Sequence, residues 1–187
     1  MCIGVDTALN TIVDAIDKLR DTATSHNRAF LIETMGRECG YLAQHAGIIC
    51  GAEMVLIPEI PVETDEVLKA VENAYIRGKT HCIIVVAEGF KPHATELADI
   101  IASMNIGFDT RLTILGHIQR GGRPTAFDRM LATRFGVNAV NMLMEGKTGM
   151  MTALYGREIV PVPLDEVIGN KRRLSEEYLK VASMLAR

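Results

Sequence analysis

The chain has 187 residues, a formal net charge of −3 and 48% hydrophobic residues. A chain of this length buries a substantial apolar core as one domain, or as one domain plus part of another. The small net charge and the absence of any lysine or arginine run argue against nucleic acid or an anionic membrane surface as the main partner. No apolar stretch approaches the roughly 20 residues of a membrane span, and no signal peptide is recognisable, so we expect a cytoplasmic protein.

The four cysteines point to the same compartment. Cys2, Cys39, Cys50 and Cys82 form no CxxC pair, and none lies near a histidine pair at zinc-ligand spacing. We therefore expect structural thiols in a reduced environment rather than a disulfide framework or a zinc site.

Helical and strand patterns alternate along most of the chain. In chain order they predict a helix at 6–22, a polar turn at 24–27, a strand at 29–32, a helix from about 37 to 49, a strand at 54–57, a helix at 64–76, a strand at 82–86, a helix at 95–104, a strand at 111–115 and a long helix at 124–145. Continuous apolar strands separated by helices are typical of a parallel sheet covered on both faces. We expect an α/β fold, a three-layer sandwich with a mainly parallel, Rossmann-like sheet.

The end of the chain is less regular. Short strands are predicted at 151–155 and 159–162, followed by a helix at 175–185. Their packing does not follow from the sequence pattern.

In an open α/β sheet, ligands bind beyond the carboxyl ends of the strands. The loops predicted at that edge contain Met35-Gly36-Arg37, Glu59, Glu88 and the segment 116–122. Gly36 and Arg37 lie at a strand-to-helix turn, where glycine permits close backbone approach and the first N–H groups of a helix favour an anion, although a plain turn is equally compatible. Glu88 ends an apolar strand, so it requires a partner or a polar cleft unless it is simply a solvated loop residue.

The segment Gly116-His117-Ile118-Gln119-Arg120-Gly121-Gly122 concentrates polar side chains in a glycine-flanked turn. Arginine supplies paired planar donors for phosphate, and histidine and glutamine suit sugar oxygens. A simple left-handed turn would explain the glycines but not this polar cluster.

Two arginines are predicted at the opposite edge. Arg28 and Arg111 stand at the beginnings of their strands, and a strand of five or six residues spans roughly 17 to 20 Å. Neither should reach a ligand at the far edge. They are therefore either structural or positioned to complete the site of a neighbouring subunit across a symmetric interface.

A second anion-binding edge is predicted near the same strand beginnings. It collects Arg20, Glu53 and the segment Arg77-Gly78-Lys79-Thr80-His81. The alternative is that Arg20 and Arg77 offset the negative ends of helix dipoles. A nucleotide phosphate loop of the GxxxxGK[ST] or GxGxxG type is absent from the sequence.

The glycine-flanked segment 116–122, followed by Asp128-Arg129, resembles the signature of bacterial-type 6-phosphofructokinases. The segments 6–11, 35–40 and 87–89 fall where that family has similar sequences, and the resemblance covers essentially the whole chain. The family's N-terminal portion, with its ATP loops, metal-binding aspartate and catalytic base, has no counterpart here. The resemblance therefore implies that residues 1–187 are the C-terminal, substrate- and effector-binding part. Residues from about 121 to 161 would pack against the N-terminal ATP domain, and the chain alone would be inactive.

The resemblance also implies residue roles in phosphorylating fructose 6-phosphate with ATP and Mg²⁺, in glycolysis. The expected substrate ligands within one subunit are Met35, Gly36, Arg37, Glu88, His117, Ile118, Gln119 and Arg120. Arg28 and Arg111 would reach the 6-phosphate of an adjacent subunit in a homotetramer. Arg37 would act catalytically by neutralising charge on the transferred phosphoryl group.

The second edge resembles the family's allosteric site for ADP or phosphoenolpyruvate. The implied effector ligands are Arg20, Gly51, Glu53, Arg77, Lys79, Thr80 and His81, with Glu53 also contacting effector-bound Mg²⁺. Arg77 and Thr80 stand where the family often has lysines. Three other interpretations stay open: part of a pyrophosphate-dependent phosphofructokinase, a non-catalytic module that senses sugar phosphate or nucleotide, and a plain structural scaffold.

Overall fold

Four parallel strands, in the order β2-β3-β1-β4, form the main sheet of the computed structural model. The structure describes residues 2–23 and 27–169, together with Leu174 and Tyr178. The elements are α1 (Val5–Ala23), β1 (Arg28–Thr34), α2 (Tyr41–Ile49), β2 (Met54–Leu56), α3 (Thr64–Ile76), β3 (His81–Ala87), α4 (Ala94–Ser103), β4 (Asp109–Ile114), a 3-10 helix (Gly116–Arg120), α5 (Ala126–Met144), β5 (Met150–Tyr155), β6 (Glu158–Pro163) and α6 (Leu164–Gly169).

The chain divides into two compact units. The sheet unit comprises residues 8–122 and 174–187, and the hairpin unit comprises residues 1–7 and 123–173. Within the described residues, none of the helices combines the length and the apolarity needed to cross a bilayer.

The sheet unit has the predicted three layers. On one face, side chains of α3 and α4 pack with Ala29 and Leu31 of β1 and with Cys82 and Ile84 of β3. On the other face, Ile12 and Ile16 of α1 and Ala43 and Ala46 of α2 pack with alternate residues of the same strands, among them Phe30, Ile32, Ile83 and Val85. Because β1 and β3 are covered on both faces, their apolar sequence is continuous rather than alternating.

The register separates two edges of the sheet. Arg28, the first residue of β1, pairs with His81 of β3 and Asp109 of β4. Thr34, the last residue of β1, pairs with Ala87 at the end of β3. The seven residues of β1 span roughly 20 Å at about 3.3 Å per residue. The carboxyl edge and the amino edge are therefore separate regions of the surface.

Three differences from the predicted elements bear on function. The second helix begins at Tyr41 rather than near 37, because residues 36–39 form a turn in which the Cys39 N–H donates to the Gly36 carbonyl at 3.0 Å. The fourth strand begins at Asp109, so Arg111 is its third residue and not its first. The glycine-flanked segment forms a 3-10 helix. Residues 24–26 of the predicted turn and, apart from Tyr178, the predicted helix 175–185 lie outside the described residues.

In the hairpin unit, β5 and β6 pair antiparallel and α5 carries many exposed apolar side chains. The N-termini of α1 and α5 cap each other. Asp128, in the first turn of α5, accepts hydrogen bonds from the Gly4 and Thr7 N–H groups at 2.9 and 2.8 Å and from the Thr7 hydroxyl at 2.5 Å. In return, the Thr125 hydroxyl donates to Asp6 at 2.6 Å. Each pair satisfies N–H or hydroxyl donors at a helix end and places a carboxylate near a positive dipole end.

Asp128→Asn is expected to lower the free energy of unfolding by about 1–3 kcal/mol at neutral pH, because a charged acceptor of three donors is lost. Burial raises the pKa of Asp128, but the hydrogen bonds from Thr7 and Gly4 outweigh it, so the folded-state pKa lies below its ordinary value. The contribution is therefore complete at neutral pH and disappears as pH falls through and below the ordinary carboxyl range. Urea denaturation should show the difference between wild type and variant shrinking in acid. A constant difference between pH 7 and pH 3 would contradict this account.

Candidate functional site at the carboxyl edge

The loop after β1 is tied to the end of β3 by one carboxylate. Glu88 follows β3, and its Oε1 accepts hydrogen bonds from the Gly36 N–H at 3.0 Å and from the Arg37 N–H. The partner that the sequence required for Glu88 is thus the backbone of the loop after β1. These two N–H groups are paired within the chain. The prediction that they lie free at a helix N-terminus for an external anion is therefore wrong.

Arg37 has an uncommon backbone conformation. Its φ of 54° lies in the left-handed region, which costs a non-glycine residue of order 1–3 kcal/mol and persists only where the surroundings enforce it. The hydrogen bond to Glu88 supplies part of that enforcement. Gly89 supplies more, since a Cβ there would lie 2.2 Å from the Arg37 carbonyl oxygen. The Arg37 side chain is exposed beside this constrained turn.

The 3-10 helix contributes the third part of the carboxyl edge. Gln119 is buried, and its Oε1 accepts a hydrogen bond from the Met35 N–H at 2.9 Å. His117, Ile118 and Arg120 of the same helix are exposed. Gln119 therefore connects this helix to the loop, while the side chains of His117 and Arg120 are exposed and carry donors suited to hydroxyl and phosphate oxygens.

A second carboxylate at this edge interacts electrostatically with Glu88. Glu33 is the penultimate residue of β1 and is half-buried. Burial raises the pKa of Glu33, the negative charge of Glu88 adds to that increase, and His93 opposes it. The carboxyl edge therefore combines two carboxylates, which can accept hydrogen bonds from sugar hydroxyls, with the exposed side chains of Arg37, His117 and Arg120, which can donate to a phosphate.

The amino edge holds the two other predicted substrate arginines. Arg28 and Arg111 both approach Asp109 Oδ2, with Arg28 Nε at 3.9 Å and Arg111 Nη2 at 2.6 Å. The structure does not bring them together with Arg37 and His117, which follow the carboxyl ends of the same strands. This agrees with the sequence argument that neither arginine serves a carboxyl-edge site in its own subunit.

The predicted effector residues near the amino edge are linked mainly to each other and to backbone. Both oxygens of the nearly buried Glu53 are engaged, Oε1 by Lys79 Nζ at 3.0 Å and Oε2 by the Ile83 N–H at 2.6 Å. The Arg20 guanidinium donates to the Cys50 carbonyl after α2, and Arg77 Nε donates to the Asn73 carbonyl in the last turn of α3 at 3.2 Å. Each arginine thus donates a hydrogen bond to a carbonyl at a helix C-terminus and offsets the negative end of that helix dipole, which is the non-ligand role considered for them above.

The remaining predicted effector residues lie beside them. Gly51 has a φ of 59° in the turn after α2, which favours glycine. The Thr80 hydroxyl and His81 Nδ1 are 3.4 Å apart at the start of β3. In the part of the chain that the structure describes, no three His, Cys, Asp or Glu side chains group as metal ligands would.

Sequence reasoning missed Asp109 and Glu33. Asp109 and Arg111 are two residues apart on a strand and so share a face, which is a signal that could have identified the pair. Glu33 directly follows the apolar run of β1, so the sequence pattern gives no separate signal for it. Glu59, also predicted at the carboxyl edge, accepts hydrogen bonds there from the Gly40 N–H at 2.9 and 3.1 Å, just before α2 begins.

An open parallel α/β sheet with carboxylates, arginines and a histidine at the carboxyl ends of its strands defines the class of α/β proteins that bind polar ligands at that edge. The phosphofructokinase family model matches residues 1–143. The chain therefore belongs to the phosphofructokinase family.

The named relatives are ATP-dependent enzymes. The chain is 48% identical over 186 residues to ATP-dependent 6-phosphofructokinase of Thermotoga neapolitana, a match covering 100% of this chain and 58% of that relative. It is 50% identical over 183 residues to ATP-dependent 6-phosphofructokinase 1 of Clostridium perfringens, covering 98% of this chain and 57% of that relative. The chain thus spans a little over half the length of these relatives.

Solved structures show the same fold. Phosphofructokinase from Saccharomyces cerevisiae superimposes with a TM-score of 0.82 at 38% identity, over 90% of this chain and 24% of that chain. Pyrophosphate-dependent phosphofructokinase from Marinobacter aquaeolei superimposes with a TM-score of 0.78 at 22% identity, over 98% of this chain and 54% of that chain. The second likeness concerns the fold alone.

Proposed function

We propose that this chain is the fructose-6-phosphate-binding part of an ATP-dependent 6-phosphofructokinase, which makes fructose 1,6-bisphosphate in glycolysis. The observation that carries the proposal is the polar carboxyl edge of a chain about half identical to enzymes of that name. The Oε2 oxygen of Glu88 is assigned to sugar hydroxyls. His117 and Arg120 contact the substrate from the 3-10 helix, and Arg37 neutralises the transferred phosphoryl group.

The amino-edge arginines are assigned to a neighbouring copy. Along their strands, Arg28 lies roughly 20 Å and Arg111 roughly 10 Å from the carboxyl edge of their own chain. Their shared position beside Asp109 supports contact with the 6-phosphate in a partner of a homo-oligomer. The neighbouring cluster of Arg20, Glu53, Arg77 and Lys79 is assigned to ADP or phosphoenolpyruvate. An effector-bound Mg²⁺ at Glu53 would have to displace Lys79 or the Ile83 N–H, because both carboxylate oxygens are engaged.

Residues from about 121 to 161 are assigned to an interface with an ATP-binding domain. Their exposed apolar side chains support this assignment: Phe127, Met130, Val137, Val140, Leu143, Met144, Met150, Met151 and Tyr155. The relatives are also longer than this chain. Among the described residues, no three His, Cys, Asp or Glu side chains group as metal ligands would, and the nucleotide and metal steps are not assigned to any residue here.

The test is a coupled assay of the protein that contains this chain, produced with any sequence that precedes it in its gene. Fructose 6-phosphate, Mg²⁺ and ATP should give turnover, whereas pyrophosphate in place of ATP should not. Glu88→Gln should lower the apparent affinity for fructose 6-phosphate at least about tenfold, because a charge-assisted acceptor is lost. Glu59→Gln is the matched control and should leave it unchanged, since Glu59 only holds the Gly40 N–H.

Three outcomes would reject the proposal. Turnover with pyrophosphate alone would favour the pyrophosphate-dependent reading. Tight binding of sugar phosphate without turnover would favour a sensing module. No binding at all in the complete protein would leave only a structural role.

A further inference from the structure

The two amino-edge arginines share a carboxylate from their own chain. Arg28 and Asp109 are register partners on adjacent strands, and Arg111 lies two residues after Asp109 on the same face. Asp109 Oδ2 is 2.6 Å from Arg111 Nη2 and 3.9 Å from Arg28 Nε. We call these three residues the arginine–aspartate cluster.

In this cluster the Asp109 carboxylate lies where an external anion would bind the two arginines. Arg28 Nε is buried and has no hydrogen-bond partner, and the side chain of Arg111 is 56% exposed. A phosphate oxygen binds well where two guanidinium groups converge, as they do here on Asp109 Oδ2. Asp109 holds that position with one negative charge, so the cluster has a net charge of +1 rather than +2.

We propose that Asp109 is an internal counter-anion that a phosphate ester displaces from Arg28 and Arg111. The inference deepens the proposed function and rests on its assignment of these arginines to a phosphate. A dianionic phosphate outcompetes a single carboxylate for two guanidinium groups, whereas a monoanion such as chloride does not. Asp109 thereby weakens binding of all anions and makes the cluster selective for doubly charged ones.

An alternative role for Asp109 is to orient Arg111, and the energetics argue against it. Asp109 and Arg111 are both about half exposed. Exposed ion pairs of this kind contribute little, so the loss of orientation on removing Asp109 is small. The repulsion between its carboxylate and an incoming dianion is the larger effect at low ionic strength.

The test measures binding of two probes, inorganic phosphate and fructose 6-phosphate, by calorimetry at low salt on the protein containing this chain. Asp109→Asn should bind both about three- to tenfold more tightly than wild type. Asp109→Glu retains the charge and should resemble wild type. Asp99→Asn, an equal charge change on the exposed face of α4, should change neither affinity. Adding Arg111→Ala to Asp109→Asn should abolish the gain.

Unchanged or weaker binding by folded Asp109→Asn, with folding checked by thermal denaturation, overturns the inference. If wild type binds fructose 6-phosphate and the variant shows no gain, only this inference fails. If the variant gains affinity for inorganic phosphate but no form binds fructose 6-phosphate, the counter-anion role stands and the proposed function fails. If no form binds either probe, both fail.

Discussion

Gly89→Ala is expected to lower the free energy of unfolding by about 3 kcal/mol, at the upper end of the usual cost of overpacking. A Cβ at position 89 would lie 2.2 Å from the Arg37 carbonyl oxygen and 3.4 Å from Glu38 Cα. Both neighbours are backbone atoms, so no side chain can rotate to relieve the contact. The turn that carries Arg37 must move away from Glu88, and the affinity for fructose 6-phosphate should fall at least about tenfold with it.

Gly121→Ala is the matched control for stability. Gly121 has an extended conformation, with φ −90° and ψ −178°, and its nearest neighbour to an added Cβ is the Ile118 carbonyl at an ordinary 3.5 Å. Urea denaturation of both variants, with calorimetry on Gly89→Ala, makes the measurement. Equal stabilities of the two variants would show that the Arg37 turn adapts freely, and would remove the argument that Gly89 enforces its conformation.

Leu31→Ala is expected to lower the free energy of unfolding by about 2–5 kcal/mol. Leu31 is completely buried in β1, between Ile84 of β3 and Leu112 of β4. Because both neighbouring strands and the helices of that face surround it, the cavity left by the lost carbons cannot collapse easily. The midpoint of urea denaturation should shift at constant slope.

Leu143→Ala is the matched control, because it removes the same atoms as Leu31→Ala but from an exposed position. Leu143, in α5, is 66% exposed, so Leu143→Ala should change the stability of this chain by less than about 0.5 kcal/mol. A similar cost at both positions would mean that Leu143 is covered in solution. In that case the apolar side chains of α5 would not be exposed in this chain, and their exposure would no longer support an interface with another domain.

The local pattern was sufficient where an element is defined by its own residues. The helix predicted at 64–76 has the same bounds in the structure, and the apolar runs at 29–32 and 82–86 are the centres of β1 and β3. Strand length also predicted that Arg28 lies away from the carboxyl edge, and the register places Arg28 at the first residue of β1. Arg111 is the third residue of β4 and pairs with Phe30, so its separation from that edge is smaller than predicted.

The pattern was insufficient where a distant residue determines the backbone. The start of α2 was placed four residues too early, because the hydrogen bond from the Arg37 N–H to Glu88 joins residues 51 apart in the sequence. Nothing local to residues 37–40 indicates that contact. In the same way, the N–H groups interpreted as an open anion site are already paired, and Asp109 was not recognised as the partner of Arg28.

The sequence by itself determined the alternation of strands and helices, the three-layer class and the residue types available at each edge. Burial leaves a recognisable apolar pattern in each segment, a helical spacing in the helices and continuous runs in the buried strands. Only the tertiary structure decided the strand order β2-β3-β1-β4, the left-handed turn at Arg37 and the carboxylate shared by Arg28 and Arg111. These features depend on which segments meet when the chain closes, and side chains far apart in sequence then compete for the same hydrogen bonds and charges.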